Sequence, residues 1–170
     1  EEIEEEGETM PIPAYLTVEG EKQGKIEGSC DLKGREGAIL VQAFDHEVRI
    51  PSDPQTGLAS GKRVHGPLKI VKQVDKASPL LYQALCTGEH LKSVEIKWYR
   101  IAKDGTEEHY FTTKLEHAIV VSMHPWMPNC LDKASGQFGH MEDVAFTYQK
   151  AIWRHEVDKK EAQDDWKVPK

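Results

Sequence analysis

The sequence predicts a mainly β protein: a compact antiparallel β-barrel of two packed sheets with one short flanking α-helix and a long extended loop. Three observations lead to this fold class. Apolar and polar residues alternate with a period of two along most of the chain, which is typical of half-buried strands. One short segment near the middle has helical spacing with a start and a stop signal. A Pro- and Gly-rich stretch over residues 51–67 has neither period.

The first half of the chain contains three predicted strands. Ala14 to Glu19 alternates apolar and polar residues, and Leu68 to Val74 is also predicted as a strand. Between them, Gly37 to Ile50 is predicted as one long strand that ends at Pro51. We expect its inward face to carry Leu40, Gln42, Phe44, His46, Val48 and Ile50. The opposite face turns polar in its second half, with Asp45, Glu47 and Arg49.

The helix is predicted from Pro79 to about Thr87. Ser78 can cap its first turn, and proline suits the first helical position because its missing N–H would have no partner there. Gly88 can adopt the left-handed conformation that ends a helix. The residues expected to be buried are Leu81, Ala84, Leu85 and Cys86.

After the helix the period of two returns. Residues 94–98 are predicted as a strand whose Val, Ile and Trp side chains face inward. An Asp-Gly pair within residues 103–106 predicts a hairpin turn, and residues 110–121 form the partner strand. A last strand is predicted from about Asp143 to His155, and a charged tail follows from Val157.

The net charge of −7 is concentrated at the amino-terminal end, where six of the first nine residues are Glu. Residues 1–9 are interpreted as an acidic extension or a remnant of protein expression, and residues 10–170 as one domain. The remainder of the chain is nearly neutral, which permits copies to associate without strong repulsion. The acidic balance argues against nucleic acid as a partner.

Several function classes find no support in the sequence. A run of about 18 apolar residues is absent, so membrane insertion is not expected, and the acidic start lacks the apolar core of a signal peptide. The eight histidines lack the short spacing of a metal site, and the three cysteines are far apart. Nucleophile elbows, phosphate loops and dinucleotide-binding motifs are missing. We therefore predict a protein that is not an enzyme and that uses no metal or cofactor.

Residues 51–67, which we call the arm, are the most unusual segment. Three prolines and three glycines occur among Ser, Asp, Thr and Lys. A loop this long is uncommon in a compact domain and usually has a function. Its proline content and its Lys62-Arg63 pair suit a segment that reaches out to a partner.

An ordered set of motifs gives the sequence a specific resemblance. These motifs are Met10 to Leu16, Ile50 to Gly57, Arg63 to Pro67, Ser78 to Tyr82, Val94 to Arg100, Tyr110 to Glu116 and Asp164 to Trp166. In this order and spacing they resemble the haemolysin-coregulated protein family, Hcp, of bacterial type VI secretion systems. The resemblance covers Met10 to Pro169.

The resemblance implies a non-enzymatic subunit that assembles as a hexameric ring. Rings would stack into the inner tube that a contractile sheath drives into a neighbouring cell, with a spike protein at its tip and secreted effectors in its lumen. The protein would be made in the bacterial cytoplasm and secreted to the medium or a target cell without a signal peptide. Six spheres of this chain's expected size would enclose a hole about 40 Å across.

The resemblance also suggests two groups of functional residues. The arm would lie on a neighbouring subunit, with contacts from Asp53, Pro54, Gln55, Thr56, Gly57, Lys62, Arg63 and His65. The polar face of the long early strand would line the lumen, with Asp45, Glu47 and Arg49.

Two other functions remain open from the sequence alone. A small monomeric β-barrel could bind an apolar ligand in its interior, which would require an internal cavity. That function would be excluded by a core filled with Leu40, Phe44, Val94, Ile96, Trp98 and Leu115. A hydrolase using a cysteine and a histidine would require a close pair of these residues in a cleft.

Overall fold

The computed structural model describes residues 12–166. Antiparallel strands are the main secondary structure of this part of the chain, and they are joined by one α-helix. A 3-10 turn spans Lys133–Ser135. The elements are β1 Ala14–Gly20, β2 Gly24–Ile26, β3 Ile39–Val41, β4 Ala43–Asp45, β5 Val48–Arg49, β6 Val64–His65, β7 Leu68–Gln73, α1 Ser78–Thr87, β8 Leu91–Ile101, β9 Glu107–Trp126, β10 Met141–Thr147, β11 Lys150–His155 and β12 Lys160–Asp165.

The strands follow one hydrogen-bonded path in the order β2-β1-β8-β9-β10-β7-β4. The long strand β9 joins the two layers, because its first part pairs with β8 and β11 and its last part pairs with β10. The segment 39–45 connects the two ends of the path: β3 pairs with β1, and β4 pairs with β7. Gln42 interrupts that segment and donates its backbone N–H to Val71 O at 2.9 Å. The predicted fold class is confirmed.

The interior of the barrel is filled with apolar side chains. Leu16, Ile96 and Leu115 have no exposed surface, and Phe146 is equally buried on the opposite layer. The helix covers this core with Leu81, which is fully buried, as the helical spacing predicts. Burial of this kind removes apolar surface from water and is the main stabilising contribution to the fold.

The helix begins and ends where the sequence predicts, but its first turn differs in detail. Ala77, rather than Ser78, is the residue that caps it. The Ser78 hydroxyl instead contacts a buried ion pair described below, and this buried partner explains the difference. Gly88 ends the helix with φ of 66°, as predicted. The prediction that Cys86 is buried was wrong, since it lies on the exposed side of the helix.

The predicted strand from Gly37 to Ile50 is divided into β3, β4 and β5. Its buried residues at the start are Ile39 and Val41, so the predicted inward positions of Leu40 and Gln42 were wrong. The residues that face the core are odd-numbered before Gln42 and even-numbered after it. The reason is that the chain changes its pairing partner at Gln42, from β1 to β7. Beyond β4 the chain leaves the barrel, and the apolar residues predicted to be buried there, Val48 and Ile50, are exposed.

The predicted last strand is also two strands, β10 and β11, separated at Tyr148-Gln149. β10 pairs with the last part of β9, whereas β11 returns to its first part, so the chain crosses between layers at this point. The charged tail was not predicted as a strand, yet Lys160–Asp165 forms β12 against β11.

A buried ionic network fastens the start of the helix to β7 and β10. The Lys72 ammonium lies 2.8 Å from Glu142 Oε2 and 3.0 Å from Asp75 Oδ1, and also donates to Ser78 Oγ at 3.0 Å. Lys72 is fully buried and Glu142 is 2% exposed. Charges this deep are tolerated only when they are paired and hydrogen-bonded, which this network achieves.

Candidate assembly surfaces

Residues 48–50 and the arm together form an ordered, largely exposed hairpin, although the arm sequence has no strand period. At its base β5 pairs with β6, with Val48 opposite His65. Further out, Ser52 and Ala59 form an antiparallel bridge. The Asp53 N–H donates to Leu58 O at 2.8 Å and so closes the tip. Backbone pairing within the arm therefore holds its shape.

The tip of the arm is a tight turn built around Asp53. Its Oδ1 accepts the backbone N–H of Gln55 at 2.7 Å, and its carbonyl accepts the Gly57 N–H at 2.8 Å. Gly57 has φ of 72°, a conformation that favours glycine. Pro54 to Gly57, which form this turn, are exposed to solvent. The five predicted contact residues from Asp53 to Gly57 thus lie together at the tip.

Large apolar side chains of the hairpin are left in solvent. Leu58 is 69% exposed and Ile50 is 59% exposed, and Val48 and Val64 are also exposed. Single exposed apolar residues are common, but several on one projecting hairpin indicate an interaction surface. The arm therefore offers apolar contacts that the isolated chain does not use.

The predicted contact residues near the end of the arm belong to its base. Arg63 donates from Nε to the Asp164 carboxylate and from Nη2 to the Asp165 carbonyl at 3.1 Å. The imidazole of His65 is fully buried, with Nε2 2.7 Å from Asp164 Oδ2. The rings of Trp153 and Trp166 flank it, with centroid distances of 6.4 and 5.2 Å. Arg63 and His65 therefore fasten the arm to β12, whereas Lys62 is exposed.

A tyrosine and a second histidine complete the base. The Tyr148 hydroxyl lies 2.7 Å from His65 Nδ1 and 2.6 Å from His46 Nε2. Burial raises the pKa of Tyr148 above its ordinary value, and the charge of Asp164 raises it further, so the phenol stays protonated. Burial lowers the pKa of His46, and His65 lowers it further, with Asp45 acting in the opposite direction.

The partners of Arg63 and His65 at this base were not predicted as site residues. They are His46, Tyr148, Trp153, Asp164, Asp165 and Trp166. The available signal was the Asp164-Asp165-Trp166 motif, which contributed to the family resemblance. No pattern in the neighbouring residues of either segment indicated that this motif contacts the arm, because Arg63 and Asp164 are 101 positions apart.

The structure separates the three residues predicted to line a lumen. Asp45 lies on the outward face of β4, opposite Lys69 of β7. Glu47 and Arg49 come after the end of β4, and Arg49 belongs to the hairpin strand β5. All three are exposed. Near Asp45 the outward face forms a depression of about 470 Å³ whose lining includes Lys69 and Asp143.

Residues 12–166 contain no group of three or more His, Cys, Asp or Glu side chains placed to hold a metal ion. The three cysteines are free, and no hydrogen bond joins a cysteine to a histidine within these residues. Within the same range, no helix is long and apolar enough to span a bilayer.

A filled barrel with exposed apolar side chains on one hairpin is typical of a protein that binds another chain through that hairpin. A family model described as "Type VI secretion system effector, Hcp" matches residues 15–155. The Major exported protein of Pseudomonas aeruginosa is 48% identical over 169 residues, which cover 94% of this chain and 98% of that protein. This chain belongs to the Hcp family, whose members are secreted tube proteins of type VI secretion and not enzymes.

Solved structures of the family share the fold. A structure titled "Crystal structure of Hcp protein" is 36% identical, with a TM-score of 0.86, and the match covers 92% of this chain and 99% of that one. The secreted protein Hcp3 from Pseudomonas aeruginosa is 43% identical, with a TM-score of 0.75 over the same shares of the two chains. The resemblance stated from the sequence motifs is therefore confirmed.

Proposed function

We propose that this chain forms hexameric rings that stack into the inner tube of a type VI secretion system and carry effectors in the lumen. The observation that carries the proposal is the arm. Its hairpin is ordered by its own backbone pairs and anchored at its base, and yet Leu58 of the arm and the adjoining Ile50 are exposed to solvent. A neighbouring subunit would bury these side chains, which would stabilise the assembly.

The mass of the protein in solution tests the hexamer. Light scattering coupled to size exclusion is expected to give a species of six times the 19.3 kDa chain, with longer stacks as the concentration rises. Salt should weaken the assembly only slightly, because the exposed arm contacts are largely apolar. A monomer at every concentration would contradict the proposal.

The other partners follow from the same role. A spike protein would cap the tube and a contractile sheath would surround it, while effectors would occupy the lumen. The chain would be made in the bacterial cytoplasm and secreted to the medium or a target cell. Residues 10–170 would form one domain, and residues 1–9, proposed as an acidic extension or expression remnant, lie outside the described part of the chain.

We place the outward face of β4 on the wall of the lumen. Asp45 and the nearby Glu47 are short exposed acids that would be repeated six times around a ring. Changing both to Arg is expected to block association of cargo while the hexamer still forms, because long cations would replace short acids on the wall. Pull-down of a cognate effector checks the binding, and light scattering checks the ring. Unaltered cargo binding by this double variant would show that the segment lies elsewhere.

The two alternatives have less support. An apolar ligand inside a monomeric barrel would need space where Val94, Ile96 and Leu115 are fully buried and packed. A cysteine hydrolase would need a close thiol–imidazole pair, and residues 12–166 contain no such hydrogen bond.

A further inference from the structure

Four side chains at the base of the arm form a continuous series of hydrogen bonds. His46 Nε2 lies 2.6 Å from Tyr148 Oη, and Tyr148 Oη lies 2.7 Å from His65 Nδ1. His65 Nε2 in turn lies 2.7 Å from Asp164 Oδ2. We call this series the anchor chain. It joins β12 and the turn after β10 to β6 and to His46, which lies two residues before β5, so the base of the hairpin cannot leave the barrel without breaking it.

The hydrogens of the anchor chain can be assigned from its two ends. The Asp164 carboxylate only accepts, so His65 carries a hydrogen on Nε2 and donates it. Nδ1 of a neutral His65 must then accept, and Tyr148 supplies its single hydroxyl hydrogen. The phenol oxygen can still accept, and it does so from Nε2–H of His46. With both imidazoles neutral, every contact therefore contains one hydrogen.

One additional proton fits into this arrangement. A proton on His65 turns Nδ1 into a donor, and the Tyr148 hydroxyl then turns towards His46, whose neutral ring can accept on Nε2. A proton on His46 instead leaves its Nε2–H bond to Tyr148 unchanged. Either ring can therefore be charged alone without loss of a hydrogen bond.

Two additional protons do not fit. Nε2 of His46 and Nδ1 of His65 would both be donors to one phenol oxygen, and the Tyr148 hydroxyl hydrogen would lose both acceptors. Two cationic rings would also face each other across a single oxygen atom. A buried polar hydrogen without a partner and a repulsive pair of charges both destabilise the anchored arm.

The charges around the anchor chain make the second proton unfavourable. On the His65 side, Arg63 already donates to the Asp164 carboxylate, so this anion serves two partners. On the His46 side, the exposed Asp45 of β4 offers partial compensation. The other packed rings, Trp153 and Trp166, are uncharged, and Asp165 of β12 accepts from Gln149 through its carboxylate at 3.2 Å.

We propose that the anchor chain is an acid-sensitive latch, which holds the arm on the barrel until both imidazoles are protonated and then releases it. The pKa of His46 is lowered while the arm is anchored and returns towards its ordinary value of 6.5 when the arm is released. The anchored state therefore binds fewer protons. Its stability is complete above about pH 6.5 and falls as the pH decreases from there. The latch is a property of the arm itself, and only its effect on rings rests on the proposed function.

Hydrogen exchange of the full-length protein between pH 7.5 and 4.5 tests the latch. The informative amides are those of Gly66, bonded to Glu47 O at 2.9 Å, and Ser60, bonded to Pro51 O at 2.8 Å. Both bonds lie within the hairpin, and they open on release because a two-stranded hairpin detached from its barrel is only marginally stable in water. After correction for intrinsic exchange rates, the opening constant of the arm is expected to increase about tenfold per pH unit between the ordinary His46 pKa of 6.5 and its lowered pKa in the anchored arm, because release takes up one proton over that interval. Amides of β8 and β9 should keep their protection. An opening constant that does not change over this range would overturn the proposal.

The variant His46→Gln separates the latch from general acid sensitivity. Its amide can donate to Tyr148 or accept from it, but it does not titrate, so the arm should stay anchored in acid. His124→Gln is the matched control, because the His124 side chain is 70% exposed and lies outside the anchor chain. This control should open like the parent protein. A His46→Gln protein that also opens like the parent would refute the latch.

An NMR titration of the parent protein gives an independent reading if His46→Gln does not fold. The imidazole of His46 is expected to titrate together with exposure of the arm amides. Titration of His46 at its ordinary pKa of 6.5 without change in these amides would contradict the proposal. If acid frees the arm but leaves the oligomer mass unchanged, the latch stands and the proposed role of the arm in assembly fails.

Discussion

Replacing the arm tip, residues 53–58, by a two-residue Asn-Gly turn is expected to leave the barrel folded and to abolish ring assembly at concentrations where the parent protein assembles. Ser52 and Ala59 already face each other in an antiparallel bridge, so a two-residue turn can join them without strain. The change removes Leu58 and spares Arg63 and His65 at the base. Burial of one leucine contributes about 1.5–3 kcal/mol, and a ring would contain six such contacts.

Circular dichroism and light scattering check the two parts of this expectation. A milder variant, Leu58→Ser on the arm, tests the same contact with a single substitution. Its matched control is Leu131→Ser on the loop before β10. Leu131 is 87% exposed, so the two changes remove the same apolar side chain from solvent-facing positions. Leu58→Ser should weaken subunit association by at least about tenfold, which corresponds to about 1.4 kcal/mol. An unchanged oligomer mass after removal of the tip would refute the role of the arm.

The substitution Lys72→Met is expected to lower the free energy of unfolding by about 3–5 kcal/mol, because it leaves a buried charge without its partner. Glu142 is 2% exposed and would lose the ammonium at 2.8 Å, and Asp75 would lose the same partner at 3.0 Å. Urea denaturation at neutral pH measures the effect, with the midpoint decreasing and the slope unchanged.

Two further variants identify the cause of this loss. Lys69→Met changes an exposed lysine on the same strand and should alter stability by no more than about 0.5 kcal/mol. Lys72→Met combined with Glu142→Met removes both charges and should recover part of the stability. If Lys72→Met is as stable as Lys69→Met, the ion pairs of Lys72 with Glu142 and Asp75 do not stabilise the fold.

Elements that depend on local signals could be predicted from the sequence. Gly88 ends the helix and Gly105 turns the hairpin between β8 and β9, both with positive φ. The boundaries at Gln42 and at Tyr148-Gln149 could not be predicted, because neither contains the Gly or Pro that usually marks a break. At both points the chain changes its pairing partner, and pairing is set by the whole barrel rather than by neighbouring residues.

The candidate site could be predicted only in part, for the same reason. Composition and resemblance selected the arm and included His65, which the structure places at its buried base. Its partners Tyr148 and Asp164 are 83 and 99 positions away along the chain, and His46 is 102 positions from Tyr148. A hydrogen-bond series across such separations is defined only by the folded structure, so no sequence motif predicts it.

The outermost strands of the sheet have a consequence for how copies of the chain avoid wrong contacts. Within residues 12–166, β12 pairs only with β11, so its far side carries backbone N–H and C=O groups that another strand could bind. Its exposed residues include Lys160 and Glu161, and charges on an edge disfavour the addition of a foreign strand. At one end of the hydrogen-bonded path, β2 is another edge strand and is only three residues long. We therefore expect these two edges to resist amyloid-like sheet extension when copies of the chain are concentrated in an assembly.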